Sequence, residues 1–187
     1  MVSLTASTGE FWADFLRSRK DPRSIDALLY EACRVGNSEE SANEGAQLIL
    51  SGKKTTTSSL LWEYENLRKP LPKVGSLSIL ENGKGEAVCV VETTWLEVLP
   101  LEKIDAGFAI AYGEWSSTLA KWQQDARRYY SAQCQQLGRE PTLQMPLSVS
   151  VSGLCMHDKE LQLRGQDRTL GPCYPPFYRV PSGGRVR

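Results

Sequence analysis

The chain of 187 residues is 41% hydrophobic, which suits one globular domain with a sizeable core and leaves little room for a second full domain. Its 22 basic and 22 acidic residues cancel, so no overall field attracts a polyanion and binding to long duplexes is disfavoured. The apolar runs fall short of the roughly 20 residues that a membrane span requires, and no signal-peptide core follows the start. We therefore expect a cytoplasmic protein that does not associate with a membrane.

Two amphipathic helices are predicted in the first fifty residues. Ser7 and Glu10 have the spacing of a capping box, and apolar residues then recur at helical intervals, which predicts a helix over about 8–19. A second pair with the same spacing, Asn37 and Glu40, opens another apolar-periodic segment. This second helix leads the chain into the polar stretch SGKKTTTSS.

The middle of the chain has the pattern of a β-hairpin. A short helix is predicted from residue 60, directly after the polar stretch. Residues 76–81 and 87–99 are rich in residues that favour strands, and Asn-Gly at 82–83 is a turn signal between them. The pattern predicts antiparallel hairpin pairing and no parallel sheet.

The last third of the chain combines a helix, a strand and a tail. Residues 116–137 have helical periodicity, and 147–156 alternate serine with apolar residues, as a half-buried strand does. We expect the domain to cover residues 1–160 and a tail rich in proline and arginine to cover 161–187. Basic residues interleaved with aromatic ones are typical of single-strand nucleic-acid contacts, but a strap packed on the domain or a disordered tail has the same composition.

Metal-ligating residues are too dispersed for a metal site. Zinc sites require several thiolates and imidazoles in close spacing, whereas this chain has one histidine and no CxxC pair. We therefore expect no metal and no cofactor. The widely spaced candidates are Cys33, Cys89, Cys134, Cys155, Cys173 and His157.

Several segments, in order and spacing, resemble the ASCH domain family of PUA-like proteins. They are GKKTTTSSL, VGSLSILENGKGEAVCVVETTWLEVLP and FAIAYGEWSSTLAKWQQDARRYY, within about residues 8–156. The resemblance implies an α+β fold, a partly open β-barrel with flanking helices, and a polar cleft between the lysine-threonine segment and the later Gly-Glu segment. Members of the family are associated with RNA or nucleosides, and some remove the acyl group of N4-acetylcytidine whereas others are described as ribonucleases.

The resemblance also marks candidate catalytic residues. The family pattern of lysine, threonine, any residue and threonine falls on Lys54 and Thr57. A lysine whose pKa is lowered to roughly 7–8 by burial can take the proton of a threonine hydroxyl and make it a nucleophile. Lys54 is thus predicted to act as the base or electrostatic stabiliser, Thr57 as the nucleophile, and Glu114 as a residue that orients the lysine or the substrate. Further residues are predicted to bind the ligand, namely Lys53, Thr55, Thr56, Tyr112 and Trp115.

The chain departs from the family pattern at several positions. The family glutamate aligns with Tyr112, and Glu114 is the candidate to replace it, although two residues along the chain is a different direction for a carboxylate. A common arginine and histidine fall on Gln123 and Ala126. The last predicted strand has serines where many members carry charged residues. Two aromatic residues on the stripe of the long helix, Trp122 and Tyr129, are predicted to lie in the core.

Two classes of function remain open. The first is a metal-independent hydrolase that acts on an N4-acylated cytidine or on RNA. The second is a binding module that holds RNA or a small nucleoside or nucleotide in the same cleft and breaks no bond. The intact spacing of Lys54 and Thr57 favours catalysis, whereas the departure at Tyr112 favours binding. The neutral charge favours a small ligand over long RNA.

The arginines of the tail generate the first testable prediction. Deletion of residues 164–187 is expected to remove most of any affinity for RNA, because five arginines lie there in an otherwise neutral protein. Anisotropy titrations with single-stranded RNA at about 50 and 200 mM salt should show a steep salt dependence that the truncated chain lacks. Equal RNA affinity before and after deletion would place the contact elsewhere.

Overall fold

A computed structural model describes residues 2–20, 22–115 and 118–157. The predicted tail, residues 161–187, therefore lies outside the described residues. In chain order, the described elements are α1 (Ala6–Arg17), α2 (Pro22–Asp26), β1 (Leu29–Cys33), α3 (Glu39–Leu50), β2 (Thr56–Leu60), α4 (Leu61–Leu67), β3 (Leu77–Glu81), β4 (Ala87–Pro100), α5 (Ala106–Tyr112), α6 (Leu119–Gln136) and β5 (Pro146–His157).

The strands form one mixed sheet in the order β1-β3-β4-β5-β2. The predicted β3–β4 hairpin is confirmed, but the expectation of antiparallel pairing alone was wrong because β1 runs parallel to β3. Parallel strands need a long crossover, which α3, β2 and α4 supply between them. No sequence pattern predicted β1, whose five residues are all only partly buried and show no alternation.

The α+β class is confirmed, whereas the predicted barrel is not. The strands β1 and β2 are the two edges of the sheet, and within the described residues no ladder joins them. The sheet is therefore open in this part of the chain. None of the described helices is long and apolar enough to cross a membrane.

The helices begin at caps other than those that the sequence suggested. Thr5 caps α1 by accepting from the backbone N–H of Thr8, and Ser38 caps α3 in a reciprocal box with Ser41. A hydroxyl at the third helical position can bond back to the cap as glutamate does, so the pattern alone did not identify the right pair. The predicted pairs that do not form the caps are Ser7 with Glu10 and Asn37 with Glu40.

Alternation along β2 and β5 gives the sheet two chemically different faces. On one face Leu60 lies opposite Leu147, and both are buried in the largest core cluster with α5 and α6. On the other face Thr57 lies opposite Ser150. Successive side chains of a strand point to opposite faces, so the two strands pack on the helices with one set of residues and expose hydroxyls with the other.

The core position of Leu60 generates a prediction about stability. Leu60 is 0% exposed, whereas Leu67, seven residues later, is 69% exposed. Leu60→Ala should lower the free energy of unfolding by about 2–5 kcal/mol, because it removes buried apolar contacts and leaves a cavity. The matched control Leu67→Ala should change it by less than about 0.5 kcal/mol in chemical denaturation. Equal effects of the two substitutions would contradict the assignment of this core.

Candidate functional site

The end of α3 directs Lys54 into the interior of the protein. Gly52 adopts a positive φ of 72°, and the backbone N–H groups of Lys53 and Lys54 both donate to the carbonyl of Leu48. This tight turn leaves the side chain of Lys53 exposed, while Lys54 is only 2% exposed. A lysine is rarely buried to this degree unless its charge is paired.

The ammonium group of Lys54 has one ion-pair partner and two hydrogen-bond acceptors. Its Nζ lies 2.6 Å from Oε1 of Glu114, and it donates to the carbonyls of Thr56 at 2.8 Å and Tyr112 at 3.3 Å. It also lies 3.6 Å from the centroid of the Tyr112 ring, close enough for a cation–π contact. These contacts compensate the loss of hydration.

Two backbone features hold Glu114 in this position. The N–H of Thr55 donates to the carbonyl of Ala111 at 2.8 Å, which ties the start of β2 to the end of α5. Gly113 then adopts a φ of 72°, and a Cβ atom there would lie only 2.7 Å from the carbonyl oxygen of Lys53. Glycine is therefore required both for the left-handed turn and for the close approach of the two segments.

Burial lowers the pKa of the Lys54 ammonium below its ordinary value of 10.5, and the carboxylate of Glu114 acts in the opposite direction. The desolvation of the charge is the larger of the two effects. Burial accounts for the direction of this pKa shift without a neighbouring cation. Lys54 therefore gives up its proton more readily than a lysine that is exposed to water.

The three predicted catalytic residues border one cavity of about 720 Å³. Lys54, Thr57 and Glu114 all line it, as do three of the predicted ligand-binding residues, Thr55, Tyr112 and Trp115. The side chains of the other two are directed elsewhere: Lys53 is exposed to solvent, and Thr56 is buried and donates to the carbonyl of Phe108. The roles of these residues stay predictions.

Tyr129 lines the cavity, although the sequence analysis placed it in the core. It is 40% exposed, and its ring centroid lies 5.6 Å from that of Trp115. The core position belongs to its neighbour Tyr130, whose hydroxyl donates to the carbonyl of Ser58 at 2.8 Å. The helical periodicity fits either tyrosine, so the sequence could not decide which of the two is buried and which lines the cavity. The prediction for Trp122 is confirmed, since it is fully buried.

Two further departures from the family pattern have structural explanations. Ala126 of α6 is fully buried in the core cluster, where a larger charged side chain would not fit without rearrangement. Gln123 donates its side-chain amide to the carbonyl of Leu101 at 3.4 Å. Both positions thus contribute to packing in this chain.

The described walls of the cavity carry balanced charge. Their charged residues are Glu31 and Glu114 on the acidic side and Arg34 and Lys54 on the basic side. No group of three metal-ligating side chains occurs in the part of the chain that the structure describes. The cavity is therefore lined by an ion pair, hydroxyls and aromatic rings.

The open mixed sheet with its helices and the cleft between the lysine-threonine and Gly-Glu segments define an ASCH-like α+β domain. The family model for the ASCH domain matches residues 31–151, and the chain belongs to this family. The chain is also similar to solved structures. An ASCH domain from Lactobacillus crispatus JV V101 is 28% identical with a TM-score of 0.75, covering 81% of this chain and 96% of that one. Protein EF3133 from Enterococcus faecalis V583 is 26% identical with a TM-score of 0.72, covering 87% and 96%. Comparison with curated proteins finds no match.

The buried ion pair generates a pH prediction. In Glu114→Gln the pKa of Lys54 should fall further in the folded state, because burial is no longer opposed, while the unfolded chain keeps a value near 10.5. The unfolded state then binds the proton more readily, so stability rises with pH up to about that value. The variant should be less stable than the wild type at pH 7, and the difference should shrink toward pH 10.

Denaturant unfolding at several pH values between about 7 and 10 measures this difference. The matched control is Glu65→Gln, which removes the same charge from an exposed position and should show little pH dependence. If the loss of stability in Glu114→Gln were the same at both ends of the range, the charge of Lys54 would not be its cause.

Proposed function

We propose that this ASCH domain is a metal-independent hydrolase that removes the acyl group from an N4-acylated cytidine. The observation that supports the proposal is the buried ion pair of Lys54 and Glu114 in the wall of a cavity that Thr57 also lines. A buried lysine beside a carboxylate and a hydroxyl is a combination that amide hydrolysis can use without a metal.

The proposed reaction begins with the proton of Lys54. Glu114, 2.6 Å away and 22% exposed, can accept that proton when the ligand excludes water. Neutral Lys54 then takes the proton of the Thr57 hydroxyl. Its Nζ donates to the carbonyl of Thr56, in the peptide group that precedes Thr57, so the ammonium lies beside the backbone at the start of β2.

The remaining steps transfer the acyl group to water. The Thr57 oxygen attacks the acyl carbonyl, the bond from carbonyl carbon to N4 breaks, and the leaving amine takes its proton from Lys54. Water then attacks the acyl ester of Thr57 while neutral Lys54 takes a proton from it and passes that proton to the departing Thr57 oxygen. Glu114 finally returns its proton to Lys54. The products are cytidine and a carboxylic acid, and the hydroxyl of Thr57 is restored.

The charge of the cavity supports a small neutral substrate over a phosphate chain. Two acidic and two basic residues line the described walls, so the cavity has no excess of cations to neutralise phosphates. Trp115 and Tyr129 offer aromatic faces on which a nucleobase can stack. These features favour the amidohydrolase over the ribonuclease.

A binding module is the second candidate, and one observation favours it. The ammonium of Lys54 donates to two carbonyls and pairs with the carboxylate of Glu114, an arrangement that favours the charged form. A permanently charged Lys54 would attract a carbonyl oxygen of the ligand and would not act as a base. The test below separates the two candidates.

Lys54→Arg is expected to lower the release of cytidine from N4-acetylcytidine by at least about 100-fold, because a guanidinium does not give up its proton in proteins. Thr57→Ala should have a similar effect, and Thr57→Ser should recover part of the activity because it restores a hydroxyl. The matched control Lys103→Arg makes the same change at an exposed position and should leave turnover unchanged. Chromatographic separation of substrate and product, with chelator present throughout, measures these rates.

Each outcome assigns the function. Turnover that persists in Lys54→Arg would refute the base assignment, and activity lost in chelator but restored by added metal would refute metal independence. A wild-type protein that binds cytidine and releases no product would be a binding module. Cleavage of single-stranded RNA without deacylation would identify a ribonuclease instead.

A further inference from the structure

Five hydroxyl side chains form a continuous polar floor on one face of the sheet. Thr57 of β2 lies opposite Ser150 of β5, and Thr93 of β4 lies opposite Ser152. Ser148, two residues before Ser150, is on the same face. All five line the cavity, and we call them the hydroxyl floor. Ser59, opposite Ser148, also lines the cavity but interacts with the hydroxyl of Tyr64, so it is not counted among them.

The hydroxyl floor has no hydrogen-bond partners of its own. None of the five side-chain oxygens bonds to another described residue, although Ser148 is only 5% exposed and Thr93 only 7% exposed. The hydroxyls on the opposite face of the same strand behave differently. Thr56 donates to the carbonyl of Phe108, and Ser58 bonds to the hydroxyl of Tyr130.

This contrast leaves the hydroxyls of the floor available to a ligand in the cavity. Where hydroxyls of β2 contribute to packing, the protein pairs them, since a buried unpaired hydroxyl is destabilising. The floor keeps five hydroxyls close together and directed into an open cavity. In β5 the serines of the floor alternate with Val149 and Val151, which are buried on the other face. The strand therefore forms with apolar side chains and does not itself require the serines.

We propose that the hydroxyl floor binds the ribose of the substrate, so that the cavity takes a ribonucleoside in preference to a free base. This inference rests on the proposed function. Ribose carries hydroxyls that donate and accept, and serine and threonine hydroxyls do the same. A neutral polyol therefore fits a floor without charge, whereas a phosphate would require cations there. The aromatic pair Trp115 and Tyr129 remains available for the base.

Ligand pairs that differ only in the sugar test the proposal. Calorimetric titrations with cytidine, 2′-deoxycytidine and cytosine use molecules that the proposed reaction does not consume. Wild-type protein is expected to bind cytidine more tightly than 2′-deoxycytidine, and cytosine most weakly. Ser150→Ala and Ser148→Ala should each weaken cytidine binding by about fivefold, the effect of one lost hydrogen bond, and leave cytosine binding unchanged.

Two controls keep the result interpretable. Ser131→Ala removes a hydroxyl on α6 that bonds only to the carbonyl of Arg127, outside the cavity, and should bind all three ligands as the wild type does. Thermal unfolding of Ser148→Ala should show no loss of stability, because the substitution removes an unpaired hydroxyl from a nearly buried site. A structural role for Ser148 would instead lower the melting temperature.

The outcomes separate this inference from the proposed hydrolysis. Equal affinity for cytidine and cytosine, or unchanged cytidine binding in both serine variants, would overturn the ribose site even if the protein deacylates. Serine-dependent binding of cytidine by a protein that releases no product would support the ribose site and refute the hydrolase.

Discussion

The burial of the Lys54 ammonium is the constraint on which the rest of the site depends. Removing a charged group from water costs several kcal/mol, so the fold must supply acceptors at short range. Two of them are backbone carbonyls, and the third is the carboxylate of Glu114. They come from the start of β2 and from the end of α5, so this one charge ties two distant parts of the chain together.

The same constraint explains how a carboxylate two residues beyond Tyr112 reaches Lys54. Tyr112 is where the family glutamate was expected from the sequence, and its ring and carbonyl both contact the ammonium. The left-handed turn at Gly113 then redirects the chain, so that Glu114 faces Lys54. A carboxylate two residues along can therefore form the ion pair, because the backbone changes direction between them.

The two faces of β2 and β5 allow one pair of strands to serve both stability and a cavity. Leu60, Leu147 and the partnered hydroxyl of Ser58 pack against α5 and α6. Thr57 and Ser150 lie on the reverse face beside the cavity. Packing of the core face fixes the backbone of both strands, so the hydroxyls of the polar face need no partners within the protein. Such a rigid support suits a site that must be preorganised.

Local sequence patterns were sufficient to predict the elements with strong signals. The helices α1, α3 and α6, the β3–β4 hairpin and β5 were all predicted, because periodicity and turn residues act over a few positions. The resemblance in several ordered segments also identified the family before any contact was known. The tertiary structure alone decided the parallel pairing of β1 with β3, the exposure of Tyr129 beside buried Tyr130, and the ion pair of Lys54 with Glu114. The strand pairing and the ion pair join residues far apart in the chain, and the two tyrosines are adjacent residues of the same type. Local sequence patterns carry no information about long-range contacts and cannot distinguish two such neighbours.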